Sequence, residues 1–432
     1  MVRWRYGLPA GLIVIGIIFI LLSLRTPAPE AAPNPTSAAA LSTIPPATNQ
    51  ATAAAHETAL VATSQNFVVP TVTPQHSNND APQTSEPRQT LAAGPVISRT
   101  ATITAPTAAA TLAPATVEAT SPPLAGGQTP PGYLARFGVS GGMNDATAAA
   151  LAGLPFGSYM NWGTSADPAR PNDAQYWQMV RVDSNGLRRP SYDRLDEVLA
   201  AQPGAIWIIG NEPDVIVQDN VGPERYAEIY HELHGYIRER DPSARIAIAG
   251  VAQPTPLRRA YLDRVLDHYQ ATYGEPMPID IWTVHGFIFR EEAGNWGAGI
   301  PPGMDVSQGT LYELVDHANS DIFRQNLLDF RAWLASRGYA EYPLAVTEYG
   351  VVMPEAYGFP PELVQSFLVD SFDFFLSATG ENGWSVDGGR QFQYWFWFSL
   401  NDDFFITPNL YDATANSLTP LGQRYATYIR GS

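Results

Sequence analysis

Beyond Gly132 the chain alternates short apolar runs, rich in β-branched and aromatic residues, with longer stretches of helical spacing. The runs are "ARFGVS" (135–140), "GSYMNW" (157–162), "QMVRV" (178–182), "AIWIIG" (205–210), "RIAIAG" (245–250), "IDIWTVHGF" (279–287), "PLAVTEYG" (343–350) and "FQYWFWFS" (392–399). Between several of them, apolar residues recur at i, i+3 and i+4. In "ERYAEIYHELHGYIRER" these are Tyr226, Ile229, Tyr230, Leu233 and Ile237, and "RAYLDRVLDHY", "FRQNLLDFRAWLASR" and "PELVQSFLVDSFDFFLSA" read likewise. Strands alternating with helices predict βαβ units and a parallel sheet. Eight such strands predict an α/β fold, a (β/α)8 TIM barrel, whose working residues gather at the C-terminal ends of the strands. A doubly wound open sheet is the competing architecture. The one glycine-rich turn after an early strand, "GVSGG", lacks the dinucleotide fingerprint that would favour it.

The pattern before Gly132 differs. Residues 7–24, "GLPAGLIVIGIIFILLSL", are uncharged and apolar over nearly the ~20 residues that a bilayer-crossing helix needs. Arg3 and Arg5 precede them, which places the N-terminus in the cytoplasm. A cleaved signal peptide begins in the same way but is followed promptly by small residues. Here Arg25 and a proline-rich stretch follow instead, which favours an uncleaved anchor over residues 1–25. Residues 26–131 are dominated by Ala, Thr, Pro and Ser and carry no sustained period, the composition of a disordered stalk. As a flexible coil it would span about 60 Å. The expectation is a single-pass protein of the cell membrane with residues 132–432 as a monomeric extracytoplasmic domain, or a secreted one if the first segment is cleaved.

Composition removes several chemistries. The chain has no Cys, so a thiol nucleophile, a disulfide framework and a Cys-ligated metal are excluded. It also has no Lys, every basic residue being Arg, which excludes Schiff-base catalysis and pyridoxal phosphate. No cofactor is expected. A net charge of −17 argues against nucleic acid and for a neutral or cationic partner.

The fourth run ends in Asn211 and Glu212, and the seventh in Glu348. In an eight-fold barrel those strands lie nearly opposite, so two carboxylates would face each other across the mouth. Glycosidic bond cleavage needs such a pair: one protonates the leaving oxygen while the other attacks the anomeric carbon or activates water. The chain here resembles the large clan of barrel glycoside hydrolases that carry an acid/base after an Asn on the fourth strand and a nucleophile on the seventh. The order of elements over 133–430 carries the resemblance, and "GNEPD" and "VTEYG" are its specific part. It implies Glu212 as acid/base, Glu348 as nucleophile, and Asn211 as the group that holds the sugar 2-hydroxyl. "NEPDVIVQDNVGPERYAEIYHEL", "DIWTVHGF" and "AVTEYG" look most like small bacterial and fungal barrel glucanases, including the endo-β-1,3-glucanase type.

Other strand ends supply candidate sugar contacts. His285 ends the sixth run, where the resemblance implies a Tyr two residues on; Phe287 stands there, leaving Tyr349 or His285 itself to orient the nucleophile. Trp395 and Trp397 share one alternating face of the eighth run and are candidates for an aromatic floor under the reacting sugar, or for wall residues packed on helices. Asn161 and Trp162 end the second run. Arg181, near the end of the third, could support the nucleophile electrostatically or serve a structural ion pair. Trp296, in the long Gly-rich loop "EEAGNWGAGIPPGMD", is a candidate platform.

These residues predict a retaining endo-β-glycanase that needs no metal and acts on a β-linked polysaccharide or oligosaccharide. Two other readings compete. One is a catalytically inactive cell-surface barrel that binds carbohydrate. The other is a metal-dependent hydrolase using His285 with Asp280 or Asp402, although no H-x-H or H-E-x-x-H spacing occurs.

Overall fold

The computed structural model describes residues 129–143 and 151–431. The expected membrane segment, residues 7–24, and nearly all of the expected stalk lie outside the described residues. Among the described residues no helix is long and apolar enough to cross a membrane.

All eight apolar runs form strands, and every neighbouring pair in the main path is parallel. In chain order the strands are β1 (Phe137–Ser140), β2 (Ser158–Met160), β3 (Gln175–Asp183), β4 (Gly186–Arg189), β5 (Ile206–Ile209), β6 (Arg245–Ile248), β7 (Trp282–His285), β8 (Leu344–Tyr349), β9 (Thr379–Trp384) and β10 (Tyr394–Phe398). The sheet runs β6-β5-β3-β2-β1-β10-β8-β7, with β4 folded back antiparallel on β3. Its two ends meet at a parallel bridge between Ala247 and Ile281, where the Asp280 N–H donates to the Ile246 carbonyl at 2.9 Å. The sheet therefore closes into the barrel that the periodicity predicts.

Helices α1 (Tyr192–Ala201), α2 (Pro223–Arg240), α3 (Pro256–Tyr273), α4 (Ser320–Ser336), α5 (Pro361–Ser377) and α6 (Pro420–Arg430) supply the outer layer. Local sequence explains where they begin. Pro occupies the first turn of α2, α3, α5 and α6, where its missing N–H costs nothing, and Thr255 and Thr419 cap α3 and α6 through their hydroxyls. The β3–β4 hairpin, β9 and the pair β11 (Tyr411–Asp412) and β12 (Ser417–Leu418) are additions that the apolar pattern does not reveal, because they bury little.

Strand alternation sorts the core into two layers. Inside the barrel pack Met160, Trp177, Met179, Ile206, Ile208, Ala247, Ile281, Ala345, Tyr394 and Phe396. Their neighbours in sequence, such as Trp207, Ile209, Val346, Trp395 and Trp397, face the helices. The filled interior makes the barrel a solid platform, so ligand access is confined to its rim.

Above that platform one buried cation ties the loops after β5 and β7 together. Arg258 lies on the inward stripe of α3 with Tyr261, Leu262, Val265 and Leu266, and is fully buried. Its guanidinium donates to Asp214 Oδ2 at 2.7 Å, to Glu291 Oε1 at 3.0 Å, and to the carbonyls of Asp214, Ala298 and Gly299. Thr255 Oγ1 completes the cluster by donating to Glu291 Oε1 at 2.5 Å. His317 makes a second tie: one ring nitrogen donates to the Ile288 carbonyl and the other accepts from the Val352 N–H, each at 3.0 Å. Burial pushes its pKa down to about 4, so the ring is neutral and holds the β7–α4 and β8–α5 loops together as a fixed tautomer.

Removing Arg258 leaves Asp214 and Glu291 as buried carboxylates without their cation. Arg258→Met is expected to lower unfolding free energy by about 3–5 kcal/mol, measured by urea denaturation. A loss below about 1 kcal/mol would mean that both acids find other partners.

Candidate active site

The strand ends bring Glu212, His285 and Glu348 into one cluster, each side chain more than nine-tenths buried. Donor atoms of the three lie within 4.8 Å of one another. His285 sits between the acids, with Nδ1 2.9 Å from Glu212 Oε1 and Nε2 3.6 Å from Glu348 Oε1. Room for the imidazole comes from Gly250: a Cβ there would stand 2.6 Å from His285 Cδ2 and 2.8 Å from Nε2. The glycine that closes the fifth apolar run is thus a packing requirement of the site.

Glu212 reaches the cluster through an unusual backbone. Gly210 and Glu212 both have positive φ, 94° and 44°, so the chain turns sharply as β5 ends. The left-handed conformation is costly for a side-chain-bearing residue, and the surroundings hold it in place. The Glu212 N–H donates to the Gly250 carbonyl at 3.1 Å and its own carbonyl accepts from Val215. Asp219 brackets the turn, accepting from the Asn211 N–H at 2.7 Å and from Arg181 Nε at 2.6 Å. Asn211 is buried, and its Oδ1 has no hydrogen-bond partner, leaving an acceptor beside the acids.

Glu348 is aimed by a register break. Against β7, His285 pairs with Glu348 although Val284 pairs with Val346, and against β10 the step from Trp395 to Trp397 matches Val346 to Tyr349. One extra residue in β8 turns Glu348 into the mouth and Tyr349 out of it. Simple alternation from Ala345 would have placed Tyr349 inside. Its ring instead packs on Phe323, Phe375 and Trp397, and its hydroxyl neighbours Ser371 Oγ at 3.5 Å. Tyr349 therefore does not orient the nucleophile candidate.

Trp162 does. Its backbone, with φ 59°, leaves β2 in the left-handed region, and its indole Nε1–H donates to Glu348 Oε1 at 2.7 Å. The hydroxyl absent at Phe287 is replaced from across the barrel. Phe287 packs its ring on Phe289 and Phe398, with centroids 5.2 and 5.8 Å away. Asn161 accepts from the Tyr176 hydroxyl.

Trp395 and Trp397 are not in the mouth. Both are fully buried in the outer layer, Trp395 stacked on Phe375 at 5.1 Å and Trp397 donating to the Pro408 carbonyl at 2.8 Å. The inward face of β10 is Tyr394 and Phe396, so of the two readings open for this strand the wall reading holds. On β10 the aromatic ring that reaches the rim is Phe398, 5.9 Å from the Trp162 ring. Trp296 is 9% exposed and packs in the outer core, so it offers no open platform. Of the acids considered as metal ligands, Asp280 pairs with Arg238 at 2.5 Å and Asp402 caps its own loop at Phe404 and Phe405; neither joins His285. Glu212, His285 and Glu348 themselves could chelate a cation, but the imidazole already bridges the two carboxylates without one.

Charge decides what the cluster can do. Burial pushes Glu348 up to about 7, and the nearby Glu212 carboxylate adds to this, while His285, the Trp162 N–H and Arg181 pull it down. Burial opposes the charged form of His285, yet Glu348, Glu212 and Asp214 together raise its pKa. Two carboxylates this close share a proton, which belongs to the pair rather than to one residue. The indole hydrogen bond favours the charged form of Glu348.

Sequence reasoning missed Asp214, Arg258, Glu291 and Asp219. A signal existed for Arg258, a cation at a core position of an otherwise apolar helical stripe. The acids are brought to it only by loops.

No family model and no curated protein matches the chain. Similar solved structures include a GH128 (subgroup II) endo-β-1,3-glucanase from Sorangium cellulosum, 16% identical, covering 68% of this chain and 98% of that chain with a TM-score of 0.46. A curdlan-specific GH128 (subgroup III) exo-β-1,3-glucanase from Blastomyces gilchristii in complex with glucose is 19% identical, covering 68% and 97% with a TM-score of 0.46. A GH128 (subgroup I) endo-β-1,3-glucanase from Amycolatopsis mediterranei in complex with laminaritriose is 18% identical, covering 68% and 98% with a TM-score of 0.44.

Replacing Trp162 by Phe removes the donor that favours ionised Glu348. The pKa of Glu348, followed by ¹³C NMR of labelled glutamate, is expected to rise from about 7. An unchanged titration would show that the indole does not tune the pair.

Proposed function

We propose that the barrel hydrolyses O-glycosidic bonds of a β-linked glycan by a retaining, two-glutamate mechanism. The observation that carries this reading is the pair Glu212 and Glu348, buried at opposite strand ends with oxygens within 4.8 Å. Inverting enzymes need roughly 6.5–9.5 Å between carboxyl groups to admit a water, and retaining ones about 5–5.5 Å.

In the first step a Glu348 carboxylate oxygen bonds to the anomeric carbon as the bond to the leaving oxygen breaks, and Glu212 gives its proton to that oxygen. Esterification removes the negative charge of Glu348, so Glu212 becomes more acidic and acts as base in the second step. It takes a proton from water, the water oxygen bonds to the anomeric carbon, and Glu348 leaves as carboxylate. Asn211 Oδ1, unpartnered beside the acids, is the acceptor for a sugar hydroxyl. Trp162 holds the nucleophile in line and Arg181 lends it positive potential. Phe398 and the face of Trp162 offer the sugar an apolar wall at the rim. The reading of residues 7–24 as an anchor extends the proposal to a domain that works outside the cell, on envelope or imported glycan.

The singly protonated pair is the working form. Activity is expected to rise as the first proton leaves and to fall as the second leaves, giving a bell-shaped pH profile on the acid side of neutrality. On a panel of β-glucans, xylans, mannans and galactans, Glu212→Gln and Glu348→Gln should each lose several orders of magnitude in release of reducing ends. Azide should restore turnover to Glu212→Ala with a β-glycosyl azide as product, and to Glu348→Ala with an α-glycosyl azide. Binding without cleavage, unchanged in both Gln variants, would favour a carbohydrate-binding barrel. Activity abolished by a chelator and restored by a divalent cation would favour the metal reading of Glu212, His285 and Glu348.

A further inference from the structure

The β3–β4 hairpin concentrates positive charge beside the mouth of a strongly acidic chain. Strand β3 continues past the barrel rim, and β4 folds back on it with Arg181 directly opposite Arg189. Like charges in opposed positions of an antiparallel pair destabilise it, so the arrangement calls for a compensating anion. Among the described residues one carboxylate supplies this. Asp219 Oδ1 lies 2.6 Å from Arg181 Nε and 3.9 Å from Arg188 Nη2, and its Oδ2 is occupied by the N–H groups of Asn211 and Val182. The other acid of the hairpin, Asp183, is turned to the Asn185 N–H at 2.7 Å.

Arg189 is left over. It is half-buried, and its Nε is a buried donor with no hydrogen-bond partner. A guanidinium donor out of reach of water and unmatched by an acceptor costs free energy unless a ligand supplies one. Burial, then Arg181 and Arg188, push its pKa down, as expected of a cation crowded by cations.

The group faces the site. On β3, Trp177 and Met179 point into the barrel, and Arg181 is the next inward position, one layer higher. Val180 is level with Ile209, so Arg181 stands beside Gly210, at the turn that presents Asn211 and Glu212. Arg181 is close enough to Glu348 to lower its pKa. Arg189, opposite Arg181, shares that face of the hairpin.

We propose that Arg181, Arg188 and Arg189 form an anion-recognising subsite at the rim, which takes a carboxylate or sulfate substituent of the glycan bound across the mouth. The substrate class becomes an acidic β-glycan, a preference opposite to that implied by the overall charge of −17. Planar guanidinium forks match both anions, whose oxygens would accept the donors that Asp219 cannot. This inference rests on the hydrolase reading given above.

The test uses one β-glucan backbone in neutral, carboxymethylated and sulfated forms of matched length. The wild-type protein should show kcat/KM about tenfold higher on at least one anionic form, the scale of one charge-assisted hydrogen bond. Arg188→Gln/Arg189→Gln should bring the anionic-to-neutral ratio close to one, and added salt should lower the ratio in the wild type. Whether carboxymethyl or sulfate carries the preference identifies the anion. A wild-type ratio of one, or a preference that survives in the double variant, would overturn the proposal. Arg188→Gln alone, with its side chain 34% exposed, carries the test if the double variant does not fold. Should no glycan be cleaved, the hydrolase reading fails and thermal unfolding decides the subsite separately. Glucuronate or sulfate at matched ionic strength should raise Tm of the wild type over chloride but not that of the variant, and an equal Tm in all three salts would overturn it.

Discussion

Arg258 is the cation on which the geometry of the mouth depends. Taking a guanidinium and two carboxylates out of water carries a desolvation penalty of several kcal/mol per ion, offset only when every donor and acceptor is placed. Here the guanidinium donates to two carboxylates and three carbonyls, drawn from the loops after β5 and β7. Because Asp214 lies two residues beyond Glu212, the same cation that pins the long Gly-rich loop through Glu291 also anchors the turn that presents the proposed acid/base. A buried charge network of this kind is a poor source of net stability. Its effect is to make alternative loop arrangements expensive, since any of them would strand a charge.

The cluster of Glu212, His285 and Glu348 poses a related problem. Glu212 and Glu348 repel each other in a poorly solvated space, and the surrounding groups divide that repulsion unequally. His285 reaches both acids, the Trp162 N–H reaches only Glu348, and Arg181 adds long-range attraction while its own charge is matched by Asp219. The two chemically identical side chains therefore sit in different electrostatic environments. With Phe at position 287, the hydrogen-bond donor to Glu348 comes from the end of β2 and not from the end of β7. An apolar ring at 287 then joins Phe289 and Phe398 in the wall of the mouth.

Much of the fold was legible in the chain. All eight apolar runs are strands and the four helical stretches are helices, because burial on both faces of a parallel strand and along one stripe of a helix leaves a periodic trace. Misreadings concern parity. Trp395 and Trp397 alternate as expected, but which face of β10 looks inward depends on its pairing with β1 and β8, where Phe137 is level with Trp395. The extra residue in β8 exchanges the places of Glu348 and Tyr349, and a bulge of one residue leaves no mark in an apolar run.

By itself the sequence determined the eight barrel strands, their alternation with helices, and the two acids at the ends of β5 and β8, because each follows from local composition and spacing. Only the tertiary structure decided which groups those acids meet. Trp162, His285, Arg181 and the buried anchor Arg258 come from four separate elements, and their convergence depends on barrel closure, strand register and loop course. Such long-range matches are set by the burial of charge and by packing between elements distant in sequence, neither of which has a period along the chain.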